Sequence, residues 1–399
     1  MREKRLMLVN INFYSFNDRW TKDTILQTYK FCSVYRVADH GSQYLIKNII
    51  EKGSQELTDV FFRVLLYNIF TKIETFQLLD EELGPLQWRT YDRRKYYDVL
   101  QNAMNKGMTI YTGAFQKPAP SLGHKIAFRN HLELLNAMMD ADLLTQLMTC
   151  EYMADAFDAI NQFPGMGNFN SFQLLIDLSY TPVLNFSEDD FVIAGVGAVQ
   201  GLKKCFSPPE AVTGLEEVLM RWMRKDQDNQ FARLGLTLKG WVTGKREMTL
   251  VDIEHTLCEV HKYSRMVTSF RNRPAAGKRF EPSSVLPDAP QFPKAWSHPD
   301  RERVRRKPGK HIRCPKRYVI SSLMDKRVNE DGGVEYLVDW LGYEPKDRTW
   351  EPEAILRADA PVAVEEYEEK HASVGGATNR TKSILRPNPE KRLAPDDPR

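Results

Sequence analysis

Five charged side chains in the first half of the chain have the types and spacing that acid–base or electrostatic chemistry requires. Arg36 and Asp39 lie three residues apart and can form an ion pair. Asp177 lies in a predicted helix, and Asp189 and Asp190 follow it. A carboxylate can act as a general base or stabilise positive charge, and an arginine suits a phosphate. For the last two aspartates, an N-cap of the helix that follows is an equally good interpretation.

A Pro-Gly turn ahead of these aspartates is suited to binding a phosphate. The segment FPGMGN ends at Asn168 and leads into a predicted helix. Gly165 and Gly167 permit a tight turn whose N–H groups, with that of Asn168, can face a DNA phosphate. The segment resembles the helix-hairpin-helix element of DNA-repair glycosylases, whose catalytic Asp would correspond to Asp189 or Asp190. Lyase-type members carry a Lys after the hairpin, which this sequence lacks, so Schiff-base chemistry is not predicted.

His255, Cys258 and His261 recur every three residues on a predicted helix and raise the question of a metal site. His261 lies well round the helix from His255, and no fourth ligand is evident, so we predict neither a metal nor a cofactor. The five cysteines form no CxxC pair, which indicates a reducing compartment. The glycine-rich run at residues 195–201 does not have Walker A spacing.

Alternation of apolar and polar residues predicts strands at Tyr318–Leu323 and Val334–Trp340, joined by a glycine turn. A third strand fits Arg348–Glu351, and a helix fits Pro361–Ala372. The motifs YVI, EYLVDW, LGY and TWEP, in this order, resemble a chromodomain. The resemblance implies a cage of aromatic faces around a methylated lysine of a histone tail, formed by Tyr318, Trp340 and Tyr343.

The chromodomain resemblance has departures that concern the peptide more than the fold. Arg317 stands where family members often have an acid before the first cage aromatic. Ile355 and Arg357 stand where the family has Asn and Asp that pair with the peptide backbone. A differently seated tail, or another ligand such as nucleic acid, is therefore an open alternative.

Four motifs of the first 270 residues occur in an order that resembles one family. They are WTKDTILQTYKFCSVYRVAD, the Pro-Gly turn with its helix, AGVGAVQG and EHTLCEVHKY. The family is the glycosylase-like helical domain associated with 5-hydroxymethyluracil DNA kinases, with relatives predicted as glutamyl- or putrescinyl-thymine pyrophosphorylases. The resemblance implies recognition of a modified pyrimidine flipped out of DNA. Its motif residues here are Trp20, Asp23, Tyr29, Arg36, Asp39, Asp177, Gly195, Gly197, Glu254, His255, Glu259, Lys262 and Tyr263.

Two further expectations concern these motifs. Thr21 or Asp23 can cap a helix whose apolar stripe includes Tyr29 and Cys32. Lys262 is assigned to DNA contact. Because we find no nucleotide kinase motif, we do not expect this chain to phosphorylate DNA by itself. A kinase or an oxygenase acting in trans is a candidate partner.

The predicted fold class is multidomain: a mainly α-helical, helix-hairpin-helix glycosylase-like domain, then a small three-stranded β module with a C-terminal helix. The boundaries are residues 1–270 for the helical domain, 271–315 for a basic, Pro-rich linker, 316–373 for the chromodomain and 374–399 for a disordered tail. Prolines and clustered positive charge predict an extended linker. Its basic run, with Arg305 and Arg306, fits nuclear localisation or phosphate contact, and equally a plain solvated linker.

Composition limits the function classes. The net charge is +3, so any nucleic-acid surface must come from local clustering. We see no signal-peptide layout and no apolar run long enough for a membrane span, so we predict no membrane partner.

Three functions fit the sequence. The favoured one is a nuclear, chromatin-targeted DNA-binding protein that reads a methylated histone tail and recognises DNA, with a 5-hydroxymethylpyrimidine as a candidate base. The second is an enzyme of glycosylase-like or base-transferase type that acts on modified thymine. The third is a non-catalytic scaffold of chromatin or of a mobile element.

Overall fold

A computed structural model describes residues 23–113, 117–236, 247–270, 290–308, 318–329, 332–341, 343–372 and 384–385. The chain divides into two compact units. The first unit comprises residues 1–53 and 179–306, and the second comprises residues 54–178 and 307–399. Among the helices that the structure describes, none combines the length and the apolar character that crossing a bilayer requires.

The region before residue 271 is mainly helical, as predicted. In chain order its α-helices are α1 (Thr24–Thr28), α2 (His40–Tyr44), α3 (Leu57–Phe70), α4 (Ile73–Leu83), α5 (Arg93–Asn105), α6 (Ala127–Asp140), α7 (Leu143–Met148), α8 (Met153–Asn161), α9 (Asn168–Leu178), α10 (Val196–Cys205), α11 (Glu216–Arg233) and α12 (Leu250–Phe270). A π-helical turn at Leu45–Ile50 continues α2.

Helix α12 is the central element of the first unit and packs closely against α10. A Cβ added to Gly201 would lie only 2.2 Å from the carbonyl oxygen of Leu257. Only glycine therefore lets the two helix backbones approach to this distance. Residues Ile25, Tyr29 and Met266 form a small apolar cluster that fixes α1 on the far part of α12.

Helix α1 is shorter than the sequence predicted. Asp23 caps it as expected, because its Oδ1 accepts the N–H groups of Ile25 at 2.9 Å and Leu26 at 3.0 Å. The helix ends at Thr28, and Tyr29 is already extended. The prediction that Cys32 lies on this helix is wrong: burial of Tyr29 against α12 turns the chain into a loop.

Part of the predicted extended linker is folded onto the first unit. Trp296 stacks with Phe292 and donates its indole N–H to the carbonyl oxygen of Ser179 at 3.2 Å. Arg301 is buried and donates to the carbonyl oxygen of Leu184 at 2.9 Å. Over residues 290–306 the aromatic side chains thus outweigh the proline and charge content that favoured an extended chain.

The second unit contains α3 to α9, and α3 is buried along almost its whole length. The Pro-Gly turn joins α8 to α9. Gly165 takes a φ of 73°, and its carbonyl oxygen accepts the side-chain amide of Asn170 at 2.9 Å. Asn161 braces the turn from α8 by donating to the carbonyl oxygen of Met166 at 3.0 Å.

The C-terminal module is an antiparallel sheet covered by helices, as predicted. Its elements are β1 (Tyr318–Val328), β2 (Val334–Trp340), β3 (Thr349–Pro352), α13 (Glu353–Asp359), α14 (Pro361–Ala372) and β4 (Ile384–Leu385). The strand order is β3-β2-β1-β4, so a fourth strand is added to the three that were predicted. The prediction that the whole tail is disordered is wrong at residues 384–385, which pair with β1. The core holds Ile320, Tyr336, Val338, Leu356, Val364 and Tyr367.

Candidate functional sites

A charged cluster lies inside the first unit where the loop after α1 meets α12. Oδ2 of Asp39 lies 2.9 Å from Nε2 of His255 and 3.9 Å from Nη1 of Arg36. Oδ1 of Asp39 accepts the backbone N–H of Ser33 at 2.7 Å. Cys32 completes the group, which we call the Asp39 cluster: Cys32, Arg36, Asp39 and His255. The ion pair predicted from the sequence is confirmed, and His255 joins it from a distant part of the chain.

The electrostatics of this cluster favour a charged pair. Burial lowers the pKa of His255, but the negative charge of Asp39 raises it, and the pKa rises to about 10. Burial raises the pKa of Asp39, but the positive charges of His255 and Arg36 lower it by more, so that it falls below its ordinary value. At neutral pH the imidazolium can therefore donate a proton or hold an anion, rather than act as a base.

Acidic residues of α12 hold the loop that carries the cluster. Asp252 accepts the backbone N–H of Arg36 at 2.8 Å, and Glu259 accepts that of Cys32 at 3.0 Å. These bonds join segments more than 200 residues apart in sequence. The loop is thus positioned by the helix that supplies His255.

Two more pairs of family motif residues form hydrogen bonds, one between α12 and the start of α1 and one between α12 and the start of α10. The hydroxyl of Tyr263 donates to Oδ2 of Asp23 at 2.5 Å. Glu254 accepts the N–H of Gly195, the N-cap of α10, at 3.0 Å. The motifs at both ends of the first unit therefore meet along α12.

Lys262, predicted to contact DNA, makes several contacts within the first unit. Its Nζ donates to the carbonyl oxygen of Lys30 at 2.6 Å and lies 3.3 Å from Oε2 of Glu259. It also lies 4.8 Å from the centre of the Phe31 ring. These contacts anchor the loop, and DNA contact by Lys262 stays a prediction.

Asp177 belongs to a different site, in the second unit. It is buried and accepts the side-chain amide of Asn68 at 2.6 Å. Lys117 donates to the side-chain oxygen of the same asparagine. The adjacent cavity encloses about 20 Å³, lined in part by His131 and Gly165, which is room for about one water molecule. In this conformation the cavity has no room for a nucleobase.

His131 shows that the surroundings of this cavity disfavour added positive charge. Burial, with the charge of Lys117 second, lowers the pKa of His131 to about 4. Its Nδ1 lies 2.7 Å from the hydroxyl of Tyr111. A neutral histidine that bonds to a tyrosine therefore lines the same cavity as Asn68 and Lys117.

The contacts of Asp189 favour the interpretation that it caps a helix over the interpretation that it is catalytic. Its Oδ1 accepts the N–H of Leu250 at 2.9 Å and lies 3.1 Å from Nε of Arg224. It therefore caps the start of α12. The predicted cap of a helix at residues 191–194 is wrong, because that segment is not helical.

Asp190 is equally committed to backbone contacts. Its carboxylate accepts the N–H of Ser187 at 3.0 Å and that of Arg305 at 2.6 Å. Burial raises its pKa to about 6, although both hydrogen bonds lower it. Asp190 therefore fastens residue 305 to the first unit.

The other predicted phosphate contacts are distributed over both units. The guanidinium of Arg305 lies 4.7 Å from the centre of the Phe186 ring, and Arg306 lies 3.6 Å from Glu217. A Cβ on Gly165 would clash with Pro120 at 2.9 Å, whereas one on Gly167 would meet nothing within 4 Å. Asn168 begins α9. Gly167 and the start of α9 are therefore the part of this turn with space beside it.

The three aromatic residues assigned to the cage do come together. The ring centre of Tyr318 lies 5.9 Å from that of Trp340 and 5.6 Å from that of Tyr343, with the rings steeply inclined. The indole N–H of Trp340 donates to Thr349 at 2.9 Å, which fixes its orientation. Tyr343 is 49% exposed. Aromatic faces that solvent can reach attract cations.

The sequence did not predict that Cys32 and His255 meet at Asp39, or that Asp252 holds the loop that carries Cys32. Cys32 was treated as part of an apolar helical stripe, and His255 was grouped with Cys258 and His261. The acids of α12 that bond the loop are separated from it by the entire helical region, so spacing along the chain carries no signal of the contact. Only the shared family motifs placed both segments in one set.

The fold and these sites define a two-part protein, a helical region followed by a chromodomain. A family model described as "5-hmdU DNA kinase, helical domain" matches residues 12–272, and a Chromo domain model matches residues 318–370. The first match covers more than half of the chain, so the chain belongs to the family of the 5-hmdU DNA kinase helical domain, and its C-terminal module is a chromodomain.

Individual relatives are similar to either one part or the other. A "5-hmdU DNA kinase" of Bacillus phage SP10 is 21% identical over 281 residues, which are 65% of this chain and 43% of the kinase. A "Chromodomain Y-like protein" of Rattus norvegicus is 50% identical over 48 residues, or 12% of this chain and 7% of that protein. The human protein of that name is 41% identical over 71 residues, or 16% and 11%. The chain thus spans under half of each. No solved structure gives a significant match.

Proposed function

We propose that this chain is a nuclear, chromatin-associated DNA-binding protein. In this proposal the chromodomain reads a methylated lysine of a histone tail, and the helical region recognises DNA that carries a 5-hydroxymethylpyrimidine. The observation that carries the proposal is the convergence of Tyr318, Trp340 and Tyr343 into one aromatic group. The phage relative, by its printed name a DNA kinase for 5-hmdU, supports the choice of base.

The cage accounts for preference between methylated and unmethylated lysine. A trimethylammonium keeps its charge but is weakly hydrated, so it loses little on entering the cage. Each good aromatic contact contributes about 0.5–2 kcal/mol. Removing one ring should therefore weaken binding by roughly 2- to 30-fold, since 1.4 kcal/mol is a factor of ten.

The test is fluorescence anisotropy of the full chain with histone-tail peptides that carry one trimethylated lysine or none. We expect binding to at least one methylated peptide, and weakening by Trp340→Ala. Trp350→Phe is the matched control, because Trp350 lies under the guanidinium of Arg327 at 4.2 Å and is not one of the three cage rings. Equal binding of methylated and unmethylated peptides would contradict the proposal.

For the DNA half, the Asp39 cluster is the best-supported part of the helical region. It combines a guanidinium, a carboxylate and an imidazolium, groups that can hold a phosphate and the polar edge of a base. We expect tighter binding to duplexes containing 5-hydroxymethyluracil than to matched thymine duplexes. Equal and strongly salt-dependent binding to both duplexes would mean that the helical region contacts only the DNA phosphates.

An enzyme acting on modified thymine is the second candidate, favoured by the buried pair of Asp39 and His255. With a pKa of about 10, His255 can donate a proton to a leaving group. Analysis of the same duplexes for base loss or transfer tests this. A new product, absent with His255→Gln, would establish the enzyme. A kinase or oxygenase acting in trans stays a prediction from the family resemblance.

A further inference from the structure

We propose that Cys32, Asp39 and His255 form a binding site for a divalent transition-metal ion, with zinc as the favoured ion. A thiolate, a carboxylate and an imidazole are the three side-chain types that bind zinc in proteins. One ligand atom from each residue lies within 4.8 Å of the other two. Tetrahedral ligands at zinc bond lengths lie about 3–4 Å apart, so small side-chain rotations would complete the site.

A buried nitrogen of His255 supports a metal ion between His255 and Asp39. Its Nε2 is buried and lies 2.9 Å from Oδ2 of Asp39, but makes no hydrogen bond of acceptable geometry within the described residues. A buried imidazole nitrogen normally has a partner, because an unsatisfied one costs about 1–3 kcal/mol. A metal ion bound between Asp39 and His255 would supply that partner.

The ligands are already held by neighbouring groups. The second oxygen of Asp39 accepts the N–H of Ser33 at 2.7 Å, which leaves Oδ2 to face His255. Glu259 fixes the backbone of Cys32 at 3.0 Å. Contacts of this kind orient metal ligands in proteins and raise their affinity.

Charge and ligand number indicate the kind of site. A thiolate and a carboxylate together balance a divalent ion, and Nη1 of Arg36 lies 3.9 Å from the same Oδ2 of Asp39. Three protein ligands leave one position of a tetrahedron for water or a substrate oxygen. The site is therefore of the open type, and a DNA phosphate or a base oxygen is the chemical class of ligand that suits the open position.

The proposed ligands are not the three residues His255, Cys258 and His261, whose spacing on one helix first raised the question of a metal site. A Cβ on Gly197 would lie 3.0 Å from Sγ of Cys258, so this thiol packs against α10. Among the residues that the structure describes, the one acidic, histidine and cysteine group close enough to hold a metal is the proposed one. Cys258 and His261 are therefore matched controls on the same helix.

The experiment measures metal binding by the untagged full chain, independently of any activity. Chelator-treated protein is titrated with Co²⁺, and the near-ultraviolet thiolate-to-metal absorption band is recorded. Zn²⁺ then competes for the site. We expect about one ion per chain, with a tetrahedral Co²⁺ spectrum.

The variants separate the proposal from its alternatives. Cys32→Ser should abolish the thiolate band, and Asp39→Asn should weaken binding by at least about 10-fold, since even outer partners contribute that much. Cys258→Ser and His261→Gln should leave both the band and the affinity unchanged. Far-ultraviolet circular dichroism checks that each variant is folded. No stoichiometric binding by the unaltered chain, an unchanged band in Cys32→Ser, or a loss in Cys258→Ser would overturn the proposal.

Discussion

The Asp39 cluster and the aromatic cage differ in whether they bury charged side chains. The cluster buries charge: His255 is 6% exposed, and its stability depends on a carboxylate 2.9 Å away. The cage buries no charge of its own, and Tyr343 stays 49% exposed. The protein itself supplies both charges of the Asp39–His255 pair, whereas in the proposed function the charge held by the cage comes from the methylated lysine.

The two sites also differ in how the chain builds them. The cage residues lie on β1, on β2 and just after β2, within one small module whose core orients them. The cluster unites a loop near residue 36 with α12, more than 200 residues later. Disturbing the cluster should therefore affect the folding of the first unit, whereas disturbing the cage should affect mainly binding.

The largest expected effect comes from breaking the buried charge pair. Asp39→Asn leaves the His255 imidazole buried without its carboxylate, and we expect a loss of about 3–5 kcal/mol in the free energy of unfolding. Urea unfolding in the presence of a chelator measures it. The double variant Asp39→Asn with His255→Gln should lose less than the sum of the single changes. Additive losses would show that the two residues do not interact.

A smaller effect is expected from Asp190, another carboxyl of the first unit whose pKa is perturbed. Its pKa is about 6 in the folded protein, above the ordinary value of 3.8, mainly because it is buried. A raised pKa means that the protonated form stabilises the fold below pH 4. This contribution is lost as the pH rises through 6, with an upper bound of about 3 kcal/mol.

Urea midpoints at several pH values between 4 and 7 test this. Asp190→Asn should remove the part of the pH dependence that the carboxyl causes, whereas Asp300→Asn, at an exposed position, should keep it. If the urea midpoint of Asp190→Asn still changed with pH as it does in the unaltered chain, the carboxyl of Asp190 would not cause the pH dependence.

The smallest effect concerns the edge of β1 that β4 covers in the chromodomain. Strand β4 pairs with β1 through Tyr318 and Leu385 and through Val319 and Ile384. A peptide strand that adds to this edge would have to displace β4. A chain that ends at residue 373 should therefore bind the methylated peptide a few-fold more tightly, by about 1 kcal/mol or less, in an anisotropy assay. Weaker binding would mean that the tail helps to form the peptide site.

The contrast between the two sites also explains what the sequence could predict. The strands of the chromodomain and its three aromatics were predicted, because alternation and motif order are local properties. The helical character before residue 271 and the pairing of Arg36 with Asp39 were predicted for the same reason.

The remainder depends on contacts distant in sequence. Asp189 caps α12 because Leu250 comes to it across 61 residues, so spacing beside Asp189 pointed to the wrong helix. Trp296 and Arg301 fold back onto Ser179, which no local pattern of prolines and basic residues reveals. Cys32 lies in a loop because Tyr29 is buried against α12.

The central claim is that two separate sites read two separate marks, one on a histone and one on DNA. The most direct test is binding of the full chain to four reconstituted nucleosomes. Their histone tail is trimethylated or unmodified, and their linker DNA carries 5-hydroxymethyluracil or thymine. The same four are measured with Trp340→Ala and with Arg36→Gln, which keeps the backbone bond to Asp252 but removes the guanidinium beside Asp39.

We predict that each mark raises the affinity independently. Trp340→Ala should remove only the gain from the methylated tail, and Arg36→Gln only the gain from the modified base. Equal affinity for all four nucleosomes, or loss of both gains in a single variant, would contradict the account of two separate readers.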